Sequence, residues 1–129
     1  MKDKKIIVLM GGPSKEAEVS RRTGAAIAEA LESKGYNAQT LELNPRTVLQ
    51  DIDSLGGEVV FNAIHGRYGE DGALQGLLEM AEIPYTGSGI MAHAVGMNKK
   101  VSKDVFKGAN IPTARSESYN GNLESAKVI

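Results

Sequence analysis

Cysteine is absent from this chain of 129 residues. No disulfide, iron–sulfur cluster, thiolate nucleophile or cysteine zinc site can therefore be built. Histidine is scarce: His65 and His93 stand far apart, so they form no local metal cluster, and no metal site is read from the sequence. Long apolar runs are missing too, since nothing approaches the roughly 20 residues of a membrane helix. The apolar residues 6–10 follow a charged start and are stopped by Gly11-Gly12, which argues against a signal peptide. Charge of one sign is not in excess. Fifteen Lys and Arg against 16 Asp and Glu leave a net charge of -1, with no bulk electrostatic reason to bind nucleic acid or an anionic membrane. These absences fit a reducing cytoplasm. What is present is an ordinary globular composition, 41% hydrophobic and 24% charged, in a length that suits one core.

Residues 5–10 carry the continuous run Ile6-Ile7-Val8-Leu9, the pattern of a strand covered on both faces. Gly11-Gly12-Pro13-Ser14 breaks it, and a helix is expected to begin between Lys15 and Ser20. Val19, Thr23, Ala26, Ile27, Ala30 and Leu31 recur three and four apart as its apolar stripe, and Gly35 ends it. Residues 36–43 read as a second strand. Asn44-Pro45 reads as the cap and first residue of a short helix. Residues 59–64 read as a third strand, 73–81 as a helix, 83–86 as a short fourth strand, and the stretch around Ile90, Met91, Ala94 and Val95 as a small helix. Asn98 caps a helix over 99–107, and residues 113–119 read as an edge piece or linker, because Pro112 is awkward in a central strand. Strand and helix alternate, so the expected architecture is α/β: an open parallel sheet with helices on both faces. The handedness of its crossovers is fixed by rule, its strand order is not. The final residues, from Gly121 to Ile129, read as a polar turn entering a new element, as though the chain were the front piece of something larger.

In open α/β sheets ligands gather beyond the C-terminal ends of the strands. Two loops belong there. One runs from Gly11 through Ser14, Glu16 and Glu18 to Ser20, and the other from His65 to Gly72. The first lacks both the GxGxxG and the GxxxxGK[ST] patterns, which gives little weight to a nicotinamide or P-loop site. Glu16 and Glu18 suit either a cationic ligand or simply the N-terminus of a helix. Ser14 and Ser20 read as ordinary capping candidates. His65, at a strand's end, suits an anion or a carboxylate, or else a backbone-satisfied histidine. Glu70 and Asp71 read as caps of the next helix, and His93 as structural. Lys99 and Lys100 stand at the unfavourable end of a helix for cations. An anionic partner such as a phosphate explains them, and a solvated pair explains them equally well.

These residues form a wider pattern. Gly11-Gly12-x-Ser14-x-Glu16-x-Glu18-Val19-Ser20 is followed by His65-Gly66-x-x-Gly69-Glu70-Asp71-Gly72-x-x-Gln75-Gly76-x-x-Glu79. Ile83-Pro84-Tyr85-Thr86-Gly87-Ser88-Gly89 and Met97-Asn98-Lys99 come next. In this order and spacing the sequence resembles the N-terminal part of the D-alanine–D-alanine ligases, ATP-grasp enzymes of bacterial peptidoglycan synthesis. The resemblance implies a three-layer, Rossmann-like pre-ATP-grasp domain over residues 1–97. Residues 98–129 would then be a linker or the start of a central ATP-grasp domain. It implies ATP-dependent joining of two D-alanines through an acyl phosphate, with ATP and Mg2+ as cofactors of the whole enzyme, and a cytoplasmic homodimer with no nucleic-acid or membrane partner. By motif position, Glu16 matches the glutamate that receives the ammonium of the first D-alanine. His65 matches the histidine beside that substrate and the forming acyl phosphate. Val19, Ser20 and Gly66 match substrate-cleft positions, and Lys99 matches a lysine that reaches the ATP phosphates.

The pattern also departs from the family. Asn98 stands where the family usually has aspartate, which bears on the tuning of Lys99, and His93 and Gly96 replace small or hydroxyl residues. The family's catalytic serines, mobile loop and magnesium carboxylates correspond to nothing before residue 129. The isolated chain is therefore expected to be inactive and to bind neither ATP nor Mg2+ tightly. The alternatives are a D-alanine–D-lactate ligase, which shares most of these motifs, and a non-catalytic binding module of the same fold.

Overall fold

The computed structural model describes residues 2–117. Its elements run β1 (Lys5–Met10), α1 (Ala17–Ser33), β2 (Asn37–Glu42), α2 (Val48–Ser54), β3 (Val59–Asn62), α3 (Ala73–Met80), α4 (Ile90–Met97) and α5 (Lys99–Gly108). The three strands form one sheet in the order β2-β1-β3. All pairings are parallel, with Ile6 beside Ala38 on one side and beside Val59 on the other. The most apolar strand therefore lies in the middle. Ile6, Ile7, Val8 and Leu9 are all buried because both of its faces are covered.

The two faces have separate cores. Ile6 and Val8 point to one side and pack with Ala28 and Ala38, joined by Ile27, Leu31 and Phe61. Ile7 and Leu9 point to the other and pack with Val48, Ile52, Val60, Leu74 and Leu78. Thus α1 covers one face, and α2 and α3 the other. The chain winds outward from β1 in both directions, so a crevice opens beyond the C-terminal ends of β1 and β3.

The α1 stripe is rotated from the apolar pattern. Its buried residues are the small Ser20, Gly24 and Ala28, whereas Val19, Ala26 and Ala30 face outward. The reason is close approach: a Cβ on Gly24 would stand 2.6 Å from the Cβ of Met10. Small side chains let helix and strand meet backbone to backbone, and bulkier Ile27 and Leu31 pack at the flanks.

Two further expectations are corrected. Residues 83–86 form no full strand but a single parallel bridge between Tyr85 and Val60, framed by the bonds Val60 N to Pro84 O and Thr86 N to Val60 O. Pro84 has no N–H to extend the ladder and Gly87 turns the chain away. The α2 helix starts at Val48, not Pro45. Asn44 instead closes a turn, its side chain accepting from Arg46 N and its carbonyl from Val48 N. The apolar residues of α4 are not core, since none of its residues is buried. Asn98 does cap α5, accepting from Val101 N at 3.2 Å. Residues 112–117 hold no regular structure, and the expectations for residues 118–129 lie outside the described residues.

Candidate functional site

Residues 11–16 follow β1 and residues 63–72 follow β3, so the sheet brings both loops to the same edge. Their relation is fixed by hydrogen bonds between distant parts of the chain. Ser20 is fully buried and works twice: its hydroxyl accepts from Gly11 N at 2.8 Å and donates to Ala63 O at 2.7 Å. It ties the end of β1, the start of α1 and the exit of β3 into one corner. Ser20 therefore faces the interior rather than the opening.

Ser14 makes the second tie. Its hydroxyl donates to His65 O at 2.8 Å and accepts from Glu16 N at 3.1 Å. Glu16 and His65 thus lie on one mouth. The carboxylate of Glu16 leans over Gly66, where a Cβ would come within 2.8 Å of Glu16 Oε2. Gly66 also has φ of 74°, in the left-handed region that favours glycine. Both demands explain why the wall of the cleft carries no side chain at this point.

The second loop is braced from within. Glu70 accepts from Gly66 N at 2.6 Å. Asn62 donates to Gly69 O and accepts from Ile64 N, and buried Gln75 donates to Gly69 O at 2.7 Å. The N-cap of α3 is Gly72; Asp71, just before it, accepts from Ala73 N, so of the two acids only Asp71 serves the helix start. The ring of His65 is half-buried and its Nε2 lies 3.3 Å from Thr23 Oγ1. The sequence offered no sign of these roles for Ser14, Thr23, Asn62 or Glu70. Ser14 and Thr23 read as a cap and a stripe residue because their partners lie more than forty positions away (51 and 42).

The acids beside the first loop divide by environment. Glu18 pairs along its own helix with Arg22 at 3.3 Å and Arg21 at 3.7 Å. Glu42, at the end of β2, takes a two-pronged bond from Arg21 at 2.7 and 3.0 Å and accepts from Gly12 N. The Arg21 guanidinium holds the Glu42 carboxyl below its ordinary value, and Glu42 in turn raises Arg21. Glu16 is different. Among the described residues its exposed carboxylate has no cationic partner, although it stands at the N-cap of α1, where an anion is favoured. Such a group is a fixed negative charge open to a cationic ligand.

Val19 is 54% exposed on the first turn of α1. Lys99 is elsewhere. It opens α5 and lines a groove of about 580 Å³ with Lys100, Lys103 and Lys107, and no hydrogen bond or ion pair among the described residues joins it to the Glu16–His65 mouth. Lys100 is held by Asp104 at 2.8 Å. The structure therefore brings Glu16, His65 and Gly66 together, while Lys99 lines the α5 groove. His93 is half-buried on α4, with Nε2 enclosed and unpartnered.

Comparison with known proteins sharpens the picture. A family model described as "D-ala D-ala ligase N-terminus" matches residues 41–88. A D-alanine--D-alanine ligase of Methylocella silvestris is 48% identical over 124 residues, which are 96% of this chain and 40% of the relative. One from Moorella thermoacetica is 47% identical over 117 residues, 91% of this chain and 38% of the relative. The chain thus spans about two fifths of the length of these curated relatives. Among solved structures, the D-alanine--D-alanine ligase of Bacillus anthracis complexed with ATP superposes with a TM-score of 0.76 at 35% identity, over 85% of this chain and 38% of that one. The ligase from Aeromonas hydrophila gives 0.79 at 25% identity, over 97% and 55%.

Proposed function

We infer that this chain belongs to the D-alanine–D-alanine ligase family and propose that it forms the substrate side of an enzyme joining two D-alanines at the expense of ATP, as peptidoglycan synthesis requires. The observation that carries the reading is the clasped pair of loops. A carboxylate without a cationic partner, Glu16, and an imidazole, His65, share one mouth over a wall with no side chain, Gly66.

In this reading Glu16 receives the ammonium of the first D-alanine, whose own charge requires a fixed anion. His65 donates to the carboxylate or to the acyl phosphate that forms from it. Val19 closes the apolar side of the cleft. These residues orient a small zwitterion and stabilise developing charge, and none forms a covalent bond to it. ATP supplies the phosphoryl group that activates the carboxylate. The lysines of α5, with Lys99 on its first turn, have the charge and the helix end that suit a phosphate. Magnesium is a different matter. Among the described residues no group of three or more His, Cys, Asp or Glu could hold a metal ion. The reading includes a cytoplasmic homodimer. Exposed Met91, Met97, Val105 and Phe106 are apolar surface consistent with a covering partner, and no helix among the described residues is long and apolar enough to cross a membrane.

The test is D-alanine saturation in the intact protein beside Glu16→Gln. Loss of a charge-assisted hydrogen bond predicts a KM for D-alanine raised about 10- to 100-fold, with that for ATP unchanged. An unaltered D-alanine curve would overturn the reading. The 129-residue chain alone is expected to release no phosphate in response to D-alanine and to bind D-alanine no tighter than about millimolar, a Kd worth roughly 4 kcal/mol.

A further inference from the structure

The hydroxyl of Ser14 occupies an unusual position between the two loops. A serine hydroxyl has one proton to give and lone pairs to accept with. Here the proton goes to His65 O at 2.8 Å, and a lone pair takes Glu16 N–H at 3.1 Å. One atom therefore contacts the backbone of both residues assigned to the substrate. Each of these backbone groups lies next to a side chain whose placement matters: the carbonyl fixes where the imidazole starts, and the amide fixes where the carboxylate starts. Ser14 also stands against the bare wall, its Oγ 3.3 Å from where a Gly66 Cβ would be.

The tie is local to the site. The first loop is anchored at its base by Ser20 and by Glu42 on Gly12 N, and its turn keeps the backbone bonds Ala17 N to Ser14 O and Ser20 N to Glu16 O. None of these needs the Ser14 hydroxyl. Its removal breaks the tie at the mouth, between Glu16 N and His65 O, while the Ser20 tie at the base of the loops stays.

We propose that Ser14 is a positioning residue which sets the spacing between Glu16 and His65, so that both engage one amino acid together. The inference rests on the roles assigned to Glu16 and His65 above. It assigns Ser14 no contact with substrate. A serine that only completed a turn would act on stability. A serine that spaces the two groups acts through them.

The experiment uses the intact protein with Ser14→Ala, Ser14→Thr, Glu16→Gln and the double variant Ser14→Ala/Glu16→Gln. Ser14→Ala is expected to raise the KM for D-alanine about tenfold and to leave that for ATP within twofold. Its unfolding midpoint stays within about 4 °C of the parent. Ser14→Thr keeps the hydroxyl and restores most of the loss. In the Glu16→Gln background the Ser14→Ala effect shrinks to less than about threefold, since a residue acting through Glu16 is not additive with its loss. Amide hydrogen exchange at Glu16 is faster in Ser14→Ala and recovers in Ser14→Thr.

An equal effect in both backgrounds, or no rescue by threonine, overturns the proposal. So does unchanged exchange at the Glu16 amide, which denies the tie itself. If Glu16→Gln leaves D-alanine saturation intact while exchange at Glu16 still responds to Ser14, the tie exists but the substrate role of Glu16 falls, and the positioning proposal falls with it.

Discussion

Two regions of the molecule carry the residues expected to touch ligands, and they are built differently. At the ends of β1 and β3, side chains from distant positions are bonded into the backbone: Ser14 to His65, Ser20 to Ala63, and Glu42 to Gly12. Along α4 and α5 the ties are mostly within one helix or between the two. Ser102 is the one buried residue of the pair, donating to Val95 O, and Met91, Met97, Val105 and Phe106 are exposed. The first region is organised by its own residues before any ligand arrives. The second presents lysines and apolar groups on a surface that the described residues do not cover. Preorganisation of charge is what a site for a small zwitterion needs. An open lysine face serves only when something else closes it.

The largest test of this contrast is packing. Leu78 is 0% exposed beneath β3, and Leu78→Ala is expected to cost about 2–5 kcal/mol. Val105 is 51% exposed on α5, and Val105→Ala is expected to cost less than about 0.5 kcal/mol in this chain. Urea denaturation of the two variants decides it, and equal losses would break the comparison. The same substitution in a longer protein sharpens it, because a larger loss there would mean that further structure covers α5.

The next effect is polar. Ser20→Ala leaves a buried N–H of Gly11 and the carbonyl of Ala63 without their partner, which costs about 1–3 kcal/mol. Lys100→Ala removes only an exposed, solvent-screened pair within α5 and should change stability little. A Ser20→Ala variant as stable as Lys100→Ala would show that the corner at the strand ends is not held as the geometry implies. Gly66→Ala belongs between these. Left-handed backbone costs an alanine roughly 1–2 kcal/mol. Its methyl would also push the Glu16 carboxylate off the wall. Weakened D-alanine saturation in the intact protein, beyond what the stability loss explains, is the expected readout.

How much of this was legible in the sequence follows from the range of each interaction. The run Ile6 to Leu9 announces a central strand because burial on both faces removes alternation, and it needs no partner to be read. The alternation of strands and helices gives the layers, and the placement of loops after β1 and β3 follows from topology. The buried face of α1 was not legible as a hydrophobic stripe. Contact with β1 is made by Ser20, Gly24 and Ala28, selected for size rather than apolarity. Nor was the work of Ser14, Thr23, Asn62 and Gln75. A polar side chain carries no period, and its partner is known only once the sheet has closed. The fourth strand failed for a local reason, since Pro84 reduces pairing to one bridge. Family resemblance supplied roles for Glu16, His65 and Lys99 that spacing alone could not.

The smallest effect concerns acid. Glu42 is held below its ordinary pKa of 4.5, first by the hydrogen bond from Arg21 and then by Gly12 N–H. The unfolded chain therefore binds this proton more readily than the folded one, and stability rises with pH through that interval. The contribution is fully present above 4.5 and is lost as pH falls through the folded value. Because the pair is about half exposed, it amounts to less than about 1 kcal/mol after screening. Asp104 is also lowered, by Lys100, but that pair joins adjacent turns of α5 and anchors no loop. Stability measured from about pH 3 to pH 7 should therefore flatten in Glu42→Gln, and the same variant should loosen the Gly12 amide to hydrogen exchange. Asp104→Asn should leave Gly12 untouched. If both variants altered the Gly12 amide alike, the corner at the strand ends would be coupled to α5, and the contrast between the two regions would be lost.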